Sequence, residues 1–461
     1  MKQAEIPNEN PAPDYTISIA VFIAAAFLVY YFSNPKPQHY YDYTFRVAEI
    51  ILRGGGAGFA EKPPSWLNEF VPFAGNWYSV FPLGAVLTMI PFAVFKAVGI
   101  IKDMPGAFIA ALSASAISVF LFLIASRYEY DWNKRILLIT SVLFGTWMWT
   151  NLTFAGAWQL ALGFAMIGEL GAIYFTVYNR KPFIAGAFFA LAFGNRTENL
   201  LTAPIFMFLL ARPTALQNST LESERTENLI EKKKKAKSKH KKQRIENRSE
   251  ESVLQKIKTE LTLFVIDTRN NPRYVIRLLA AFCVVPFFLG VATLIYNYVR
   301  FGSFADFGYA RIPGVLEEPW YQHGIFSIWY IRGQAYEMLF RLWETKANFP
   351  FYVPNGFSSS ILLTSPFLFF TFRRGARDKR LKYAASASIF ILTFLLWIHG
   401  NSGGWQFGYR YAMILLPWIF LILLENSPRK ITVSEWILYG FSIVANAYAT
   451  YLFHWTEYIK P

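Results

Sequence analysis

The sequence contains little cysteine and little charge. Its single cysteine, Cys283, lies in an apolar run, so no disulfide can form within one chain and no redox role is indicated. Only 16% of the 461 residues are charged, whereas soluble domains of ordinary composition have about 25%. Hydrophobic residues make up 54% of the chain and aromatic residues 18%. This composition excludes an ordinary soluble domain and favours helices surrounded by lipid.

Several nucleotide and metal motifs are also missing. No Gly-x-Gly-x-x-Gly follows a strand, and the glycine-rich segment 53–58 lacks the lysine of a P-loop, so we interpret it as a helix terminator and a turn. The five histidines are dispersed, and no Asp-x-Asp pair of a soluble sugar-nucleotide enzyme occurs. The sequence therefore predicts no cofactor and no metal.

Long apolar stretches predict a polytopic membrane protein. Stretches of about spanning length occur at 16–32, 81–101, 106–126, 136–150, 155–178, 183–211, 274–299, 358–372, 381–398, 411–425 and 433–453. Only a helix satisfies its own backbone in lipid, and no barrel-like alternation occurs. The prediction is an all-α membrane protein with roughly ten to twelve transmembrane helices.

Lysine and arginine in the connections indicate how the chain crosses the membrane. The prediction is a cytoplasmic tail (1–15), an N-terminal membrane module (16–211), a lysine-rich cytoplasmic loop (212–273) and C-terminal membrane helices (274–461). Three segments are predicted outside: 33–80, 301–357 and 399–410. The number of crossings in 81–126 stays open. The stretch 183–211 is interpreted as two half-helices broken at 195–199, because the five consecutive polar residues there would be costly within one span in lipid.

The lysine-rich loop holds sixteen Lys/Arg and nine Asp/Glu. Such blocks are typical of solvated linkers that attract anionic lipid headgroups. Because no aromatic residues are interleaved with these charges, nucleic-acid binding is not predicted. The predicted partner is therefore membrane lipid.

The first outside segment contains the most informative pattern. Between residues 40 and 53 the sequence predicts a helix at the membrane surface, with Asp42, Arg46, Glu49 and Arg53 along one polar stripe. One interpretation is a face of surface ion pairs. The other is catalytic: Asp42 lies among tyrosines, where desolvation raises the pKa of a carboxylate and suits it to act as a general base.

Two later loops add candidate side chains. Arg410 ends a glycine- and aromatic-rich loop, on the outside and at a helix N-terminus, where a cation is unfavourable unless an anion such as a phosphate binds there. The alternative is an interfacial arginine whose head reaches water. The segment 297–309 is rich in glycine and aromatic residues, which can stack on a sugar or pack on the membrane surface.

The order of these motifs resembles the GT-C superfamily of polyprenyl-phosphate-sugar glycosyltransferases, especially prokaryotic relatives of the dolichyl-phosphate-mannose mannosyltransferases. The residues that carry the resemblance are His39-Tyr40-Tyr41-Asp42-Tyr43, Tyr78-Ser79-Val80-Phe81-Pro82-Leu83-Gly84, Gly194-Asn195-Arg196, Asn297-Tyr298-Val299-Arg300-Phe301-Gly302-Ser303 and Gly403-Gly404-Trp405-Gln406-Phe407-Gly408-Tyr409-Arg410-Tyr411. Together they extend over most of 16–425, apart from the lysine-rich loop.

The resemblance implies a GT-C-like helical bundle with a large first extracytoplasmic loop that carries the catalytic acid. It implies transfer of a sugar from a polyprenyl-phosphate donor on the extracytoplasmic side of the cell membrane, with Asp42 as the general base. The predicted donor-phosphate residues are Arg410, Arg196, Arg311 and Lys346. The predicted substrate-binding residues are His39, Tyr41, Glu49, Tyr78, Trp405 and Tyr309. In the protein mannosyltransferases a second acidic residue follows the first and a late loop holds a soluble sugar-binding domain; Tyr43 follows Asp42 here and no such domain is present, which disfavours a protein acceptor.

Two other classes of function stay open at this point. A transporter or flippase of a lipid-linked sugar would carry charges within the membrane, and Glu169 is the one candidate. No internal repeat of the kind that builds many transporters is evident. A non-catalytic membrane protein is the third possibility. The sequence does not indicate the sugar, the acceptor or the oligomeric state.

Overall fold

The computed structural model describes residues 15–35, 41–211, 262, 269 and 271–459. The N-terminal tail, His39 and most of the lysine-rich loop lie outside these residues, so the interpretation of that loop as a solvated linker stays a prediction.

The described chain is mostly helical. The α-helices are α1 (Thr16–Phe32), α2 (Tyr43–Leu52), α3 (Leu83–Leu87), α4 (Ile90–Ala97), α5 (Gly106–Ala125), α6 (Trp132–Phe144), α7 (Met148–Thr153), α8 (Ala157–Ile173), α9 (Pro182–Asn195), α10 (Ala203–Ala211), α11 (Pro272–Phe301), α12 (Ile331–Leu339), α13 (Ile361–Thr364), α14 (Lys379–Ile398), α15 (Leu416–Asn426) and α16 (Val433–Trp455). A π-turn (Tyr174–Tyr178) extends α8, and 3₁₀ segments at Thr197–Thr202, Pro366–Phe372 and Arg410–Leu415 adjoin α10, α13 and α15.

Among the described residues, five helices are long and apolar enough to cross a membrane. They are α5, α8 with its π-turn, α11, α14 and α16. Shorter apolar helices occur at 16–32, 83–97, 182–195 and 197–211. The coarse prediction of a helical, membrane-embedded protein is therefore confirmed. Several predicted spans are interrupted, because polar residues or prolines lie within them.

The predicted break in 183–211 is confirmed. Helix α9 ends at Asn195, Arg196 is extended, and a 3₁₀ turn begins at Thr197. The end of α9 also makes a close backbone contact, since a Cβ on Gly84 would collide with the backbone of Gly194. Only glycine permits this approach. The contact holds Arg196 beside the chain that enters α3.

The loops contain small sheets that the all-α prediction missed. Strands β1 (Gly58–Phe59), β2 (Phe70–Phe73) and β3 (Asn76–Ser79) form an antiparallel sheet in the order β1-β3-β2. The β2–β3 hairpin turns through Ala74 and Gly75, both with positive φ, a backbone conformation that favours tight hairpins. Strands β4 (Glu344–Thr345) and β5 (Tyr352–Val353) form a second pair.

Charged and loop residues gather at two opposite ends of the bundle. Helix α16 begins at Val433, near Glu435 with its ion pairs to Lys134 and Arg373. It ends at Trp455, beside a cavity lined by Phe453. At 1.5 Å per residue, these ends are about 35 Å apart. The three segments predicted to share one side, 33–80, 301–357 and 399–410, all contribute residues to that cavity.

Candidate functional site

A large cavity opens at the loop end of the bundle. It has a volume of about 820 Å³ and is lined by residues from the first loop, the start of α8, the 301–357 loop, the 399–411 segment and the end of α16. The aromatic, amide and charged side chains of this lining include Tyr41, Trp66, Asn68, Glu69, Trp158, Gln159, Tyr309, Glu318, Trp320, Trp405, Arg410, Tyr411 and Glu457. The cavity therefore offers both stacking surfaces and hydrogen-bonding groups to a ligand.

A small cavity of about 420 Å³ adjoins the large cavity. Its wall includes the break after α9, the entry to α3 and the end of α14, and its apolar lining includes Leu200, Leu201 and Phe326. These three side chains are 53%, 43% and 57% exposed. The rim of the small cavity therefore presents apolar side chains to the outside of the bundle.

Four residues line both cavities: Glu69, Trp158, Tyr309 and Tyr411. Of these, Glu69 is the one acidic side chain. It is half-buried and immediately precedes β2. A carboxylate in the wall between two cavities can act on a group bound in either of them.

The fold fixes the position of Glu69 from two sides. The hydroxyl of Tyr43 in α2 donates to Asn68 Oδ1 at 3.0 Å and accepts from the Glu69 backbone N–H at 3.5 Å. The Trp158 indole N–H, at the start of α8, lies 2.8 and 3.0 Å from the two Glu69 carboxylate oxygens. The carboxylate is therefore oriented by a rigid helix end as well as by its own loop.

Burial raises the pKa of Glu69 to about 7. The Trp158 hydrogen bond and the charges of Arg410 and Arg196 lower it, but they only partly offset the loss of solvation. A carboxyl group with a pKa near neutrality is suited to general acid–base catalysis, because both protonation states are accessible.

Arg410 contributes a cation that is not neutralised by an ion pair with any described residue. It is 6% exposed, and its guanidinium donates to the Gly404 carbonyl at 2.7 Å and to the Tyr411 hydroxyl at 3.2 Å. Its buried Nε has no hydrogen-bond partner among the described residues. A guanidinium with spare donors beside a cavity can bind an anion such as a phosphate oxygen.

Arg196 lies near the same aromatic ring. The guanidinium carbons of Arg196 and Arg410 are 4.8 and 5.0 Å from the Tyr411 ring centroid. Arg196 lines the small cavity and forms an ion pair with Glu198. The two arginines therefore place positive charge at the junction of the cavities, with Arg196 partly neutralised.

Asp42 is not part of this junction, although its neighbour Tyr41 lines the large cavity. Asp42 lines neither cavity, and its carboxylate pairs with Arg46 at 2.7 Å, one turn along α2. Glu49 likewise pairs with Lys96 at 2.9 Å and with Arg53 at 3.6 Å. The charged groups of the polar stripe on α2 are thus ion-paired, as the non-catalytic interpretation predicts, although the carboxylates of Asp42 and Glu49 are largely buried.

The other predicted site residues divide into two groups. Tyr41, Trp405 and Tyr309 line the large cavity together with Arg410. Arg311 instead pairs with Asp306 at 2.6 Å, and Lys346 pairs with Glu344 at 3.1 Å. Tyr78 packs in β3 against Phe301, at 5.9 Å between ring centroids. Arg311, Lys346 and Tyr78 line neither cavity, and His39 lies outside the described residues.

Sequence reasoning missed Glu69. The available signal was weak: a single carboxylate within Trp66-Leu67-Asn68-Glu69-Phe70, an otherwise largely apolar stretch of the first loop. Its significance depends on Trp158 and the two arginines, which are distant in sequence.

Glu169, the candidate for a charge on a transport pathway, is fully buried in α8. It accepts from the Trp418 indole N–H at 2.9 Å and lines neither of the two cavities.

Comparison of the chain with protein-family models, with curated proteins and with solved structures finds no match.

Proposed function

We propose that this protein is a membrane glycosyltransferase that moves a sugar from a polyprenyl-phosphate donor to an acceptor hydroxyl. The observation that carries the proposal is Glu69: an oriented carboxylate with a pKa near 7, in the wall shared by two cavities and within electrostatic reach of two arginines. The motif order that resembles the GT-C superfamily supports the same reaction class.

The proposal assigns the general base to Glu69 rather than Asp42. The Glu69 carboxylate takes the proton of the acceptor hydroxyl while that oxygen forms a bond to the anomeric carbon. The bond between the anomeric carbon and the phosphate oxygen breaks, and polyprenyl phosphate leaves with the electron pair. A positioned base of this kind contributes about 10²- to 10⁴-fold to the rate.

Arg410 and Arg196 are proposed to hold the leaving phosphate. Negative charge grows on the phosphate as the sugar departs, and preorganised cations in a water-poor site stabilise that charge. The spare donors of Arg410 suit it better than Arg196, whose guanidinium is already paired with Glu198. In this mechanism the guanidinium groups supply the positive charge that the leaving group requires.

The two cavities are proposed to receive different substrates. The exposed apolar rim of the small cavity suits a polyprenyl chain arriving from the lipid, since chain CH₂ groups are favoured against apolar side chains. The large cavity, which is more polar, is proposed to receive the acceptor. The distribution of lysine and arginine supports an extracytoplasmic site, because the segments predicted outside line the large cavity.

The test is to incubate the purified protein with a panel of polyprenyl-phosphate hexoses and a panel of hydroxyl-bearing acceptors, and to measure the polyprenyl phosphate released and the sugar transferred. We expect release with at least one donor, and loss of release in Glu69→Gln. If no donor is cleaved while a lipid-linked sugar crosses the bilayer of liposomes containing the protein, the flippase alternative replaces this proposal.

A further inference from the structure

The large cavity has more room than one sugar ring needs. Its volume of about 820 Å³ lies near the upper end of the range for pockets that bind drug-sized molecules, about 300–1,000 Å³. Its lining reaches from Glu69 out to Trp66 and Trp320 in two different loops. An acceptor that fills this space is a molecule of several rings or an extended chain, rather than a monosaccharide.

Tryptophan side chains form part of the wall of this cavity. Trp66 and Trp320 line it and are 48% and 42% exposed. A third tryptophan, Trp405, is more enclosed and packs on Phe453 at 5.5 Å between ring centroids. An exposed indole face beside hydrogen-bonding groups suits a sugar ring, which presents a CH face for stacking and hydroxyls at its edge.

The lining of the large cavity also contains an uncharged polar side chain. Gln159 is 4% exposed and lines the cavity, and its Oε1 has no hydrogen-bond partner among the described residues. A hydroxyl donor would satisfy this oxygen, whereas an acyl or polyprenyl chain would leave it desolvated and unpaired. The buried amide therefore favours a hydroxyl-rich ligand over a lipid tail.

The charged side chains of the lining narrow the class of ligand further. Glu69, Glu318 and Glu457 line the large cavity, and Arg410 is the one arginine or lysine that does so among the described residues. This balance repels a polyanionic acceptor such as an acidic glycan. A peptide is also disfavoured, because no residue of the five described strands lines the cavity to pair with an extended backbone.

We infer that the large cavity binds a neutral oligosaccharide, which serves as the sugar acceptor. The role of acceptor rests on the proposed function, whereas the class of ligand rests on Trp66, Trp320 and Gln159. Stacking sites at the rim would hold rings that precede the reacting one. The terminal hydroxyl would then lie toward Glu69.

The test measures binding apart from turnover. Glu69→Gln protein in detergent is titrated with neutral tetrasaccharides (manno-, gluco- and galacto-configured), with tetragalacturonate and with polyprenyl phosphate, and tryptophan fluorescence is recorded. We expect at least one neutral tetrasaccharide to bind, and tetragalacturonate to bind more weakly. Trp66→Ala and Trp320→Ala, each added to Glu69→Gln, should weaken that binding by about fivefold or more.

Trp329→Ala is the matched control, because Trp329 lies in the same loop as Trp320, is 74% exposed and lines neither cavity. It should leave tetrasaccharide binding unchanged. If no neutral tetrasaccharide binds, or if all three tryptophan variants behave alike, the inference is wrong even when the wild-type protein cleaves donor. If tetrasaccharide binds as expected but no donor is cleaved, the cavity binds glycans and the proposed reaction is wrong.

Discussion

The two ends of the helical bundle both contain buried charge, but they use it differently. At the end near Glu435, charged groups have close partners within the protein. Glu435 forms ion pairs with Lys134 and Arg373, each at 2.6 Å. Arg377 donates to the Tyr130 hydroxyl at 2.5 Å, and Glu425 accepts from the Tyr128 hydroxyl at 2.6 Å. These groups connect α6, α15 and α16 with the segments that precede α6 and α14.

At the cavity end, two charged side chains, Glu69 and Arg410, line the large cavity. Arg410 has no ion pair among the described residues, and Glu69 is held by an indole N–H rather than by a cation. A charge that is matched by the protein stabilises one arrangement of helices. A charged group that faces a cavity and has no oppositely charged partner in the protein can interact with a ligand there. The Glu435 ion pairs therefore stabilise the packing of helices at one end, whereas the cavity at the other end gives its charged groups access to a ligand.

Glu69→Gln should have the largest effect on activity. It keeps an oxygen for the Trp158 indole but removes the base, so donor cleavage should fall by about 10²- to 10⁴-fold. The unfolding midpoint should stay close to that of the wild type. Release of polyprenyl phosphate and differential scanning fluorimetry measure the two quantities. Wild-type turnover by this variant would remove Glu69 from the mechanism.

Glu435→Gln should have a comparably large effect on stability. It leaves Lys134, a fully buried side chain, without its carboxylate, and breaking a buried pair in this way costs about 3–5 kcal/mol. Turnover per folded molecule should be unchanged. Glu129→Gln is the control at the same end, because its pair with Arg429 is exposed and contributes about 0–1 kcal/mol. Equal unfolding midpoints for the two variants would contradict the distinction between the buried Glu435 pair and the exposed Glu129 pair.

The planar guanidinium of Arg410 should affect both binding and turnover of the lipid donor. Arg410→Ala should lower turnover by about 10²- to 10³-fold, the usual cost of removing one preorganised donor. Arg410→Lys should recover only part of this loss, because an ammonium supplies charge without a planar fork. Donor titrations and initial rates check both variants. Full recovery by lysine, with alanine lowering stability more than activity, would indicate an interfacial arginine instead.

The pH dependence of kcat/KM should follow the protonation state of Glu69. A base must be deprotonated, so kcat/KM should rise with pH and level off above about 7, where burial sets the pKa of Glu69. Below that value the rate should fall about tenfold per pH unit. Because the Arg410 cation lowers this pKa, Arg410→Gln should move the acidic limb to higher pH. A limb that stays in place in Arg410→Gln would show that another group is titrating.

Asp42→Asn should have the smallest effect. The Arg46 and Asp42 side chains are 35% and 17% exposed, and an ion pair one turn apart on a helix contributes about 0.3–0.5 kcal/mol. Donor cleavage should be unchanged and the unfolding midpoint slightly lower. Abolished cleavage in a stably folded Asp42→Asn protein would return the catalytic role to Asp42.

Local patterns in the sequence predicted local features well. Apolar length predicted the long helices, and the polar run after Gly194 predicted the break at Arg196. The spacing of Asp42, Arg46, Glu49 and Arg53 predicted the stripe of α2, although not which of its two interpretations applies. These features depend on neighbours within a few turns of helix.

The site itself depends on contacts between distant residues. Glu69 becomes informative only beside Trp158, and its pKa is raised only because the surrounding loops remove water from it. Arg311 and Lys346 looked available in the sequence, but each is paired with an acidic neighbour, Asp306 and Glu344. Pairing and burial of this kind are set by tertiary structure, so charge and position in the chain did not predict them.

The central claim, that Glu69 acts as the base between the two cavities, is tested most directly by chemical rescue. Glu69→Ala removes the carboxylate and opens space that a small carboxylate such as formate can enter. We predict that the variant cleaves donor very slowly and that added formate restores cleavage in proportion to its concentration, with no effect of formate on Asp42→Ala. The account would be contradicted if Glu69→Ala kept wild-type activity while Asp42→Ala lost cleavage and formate restored it.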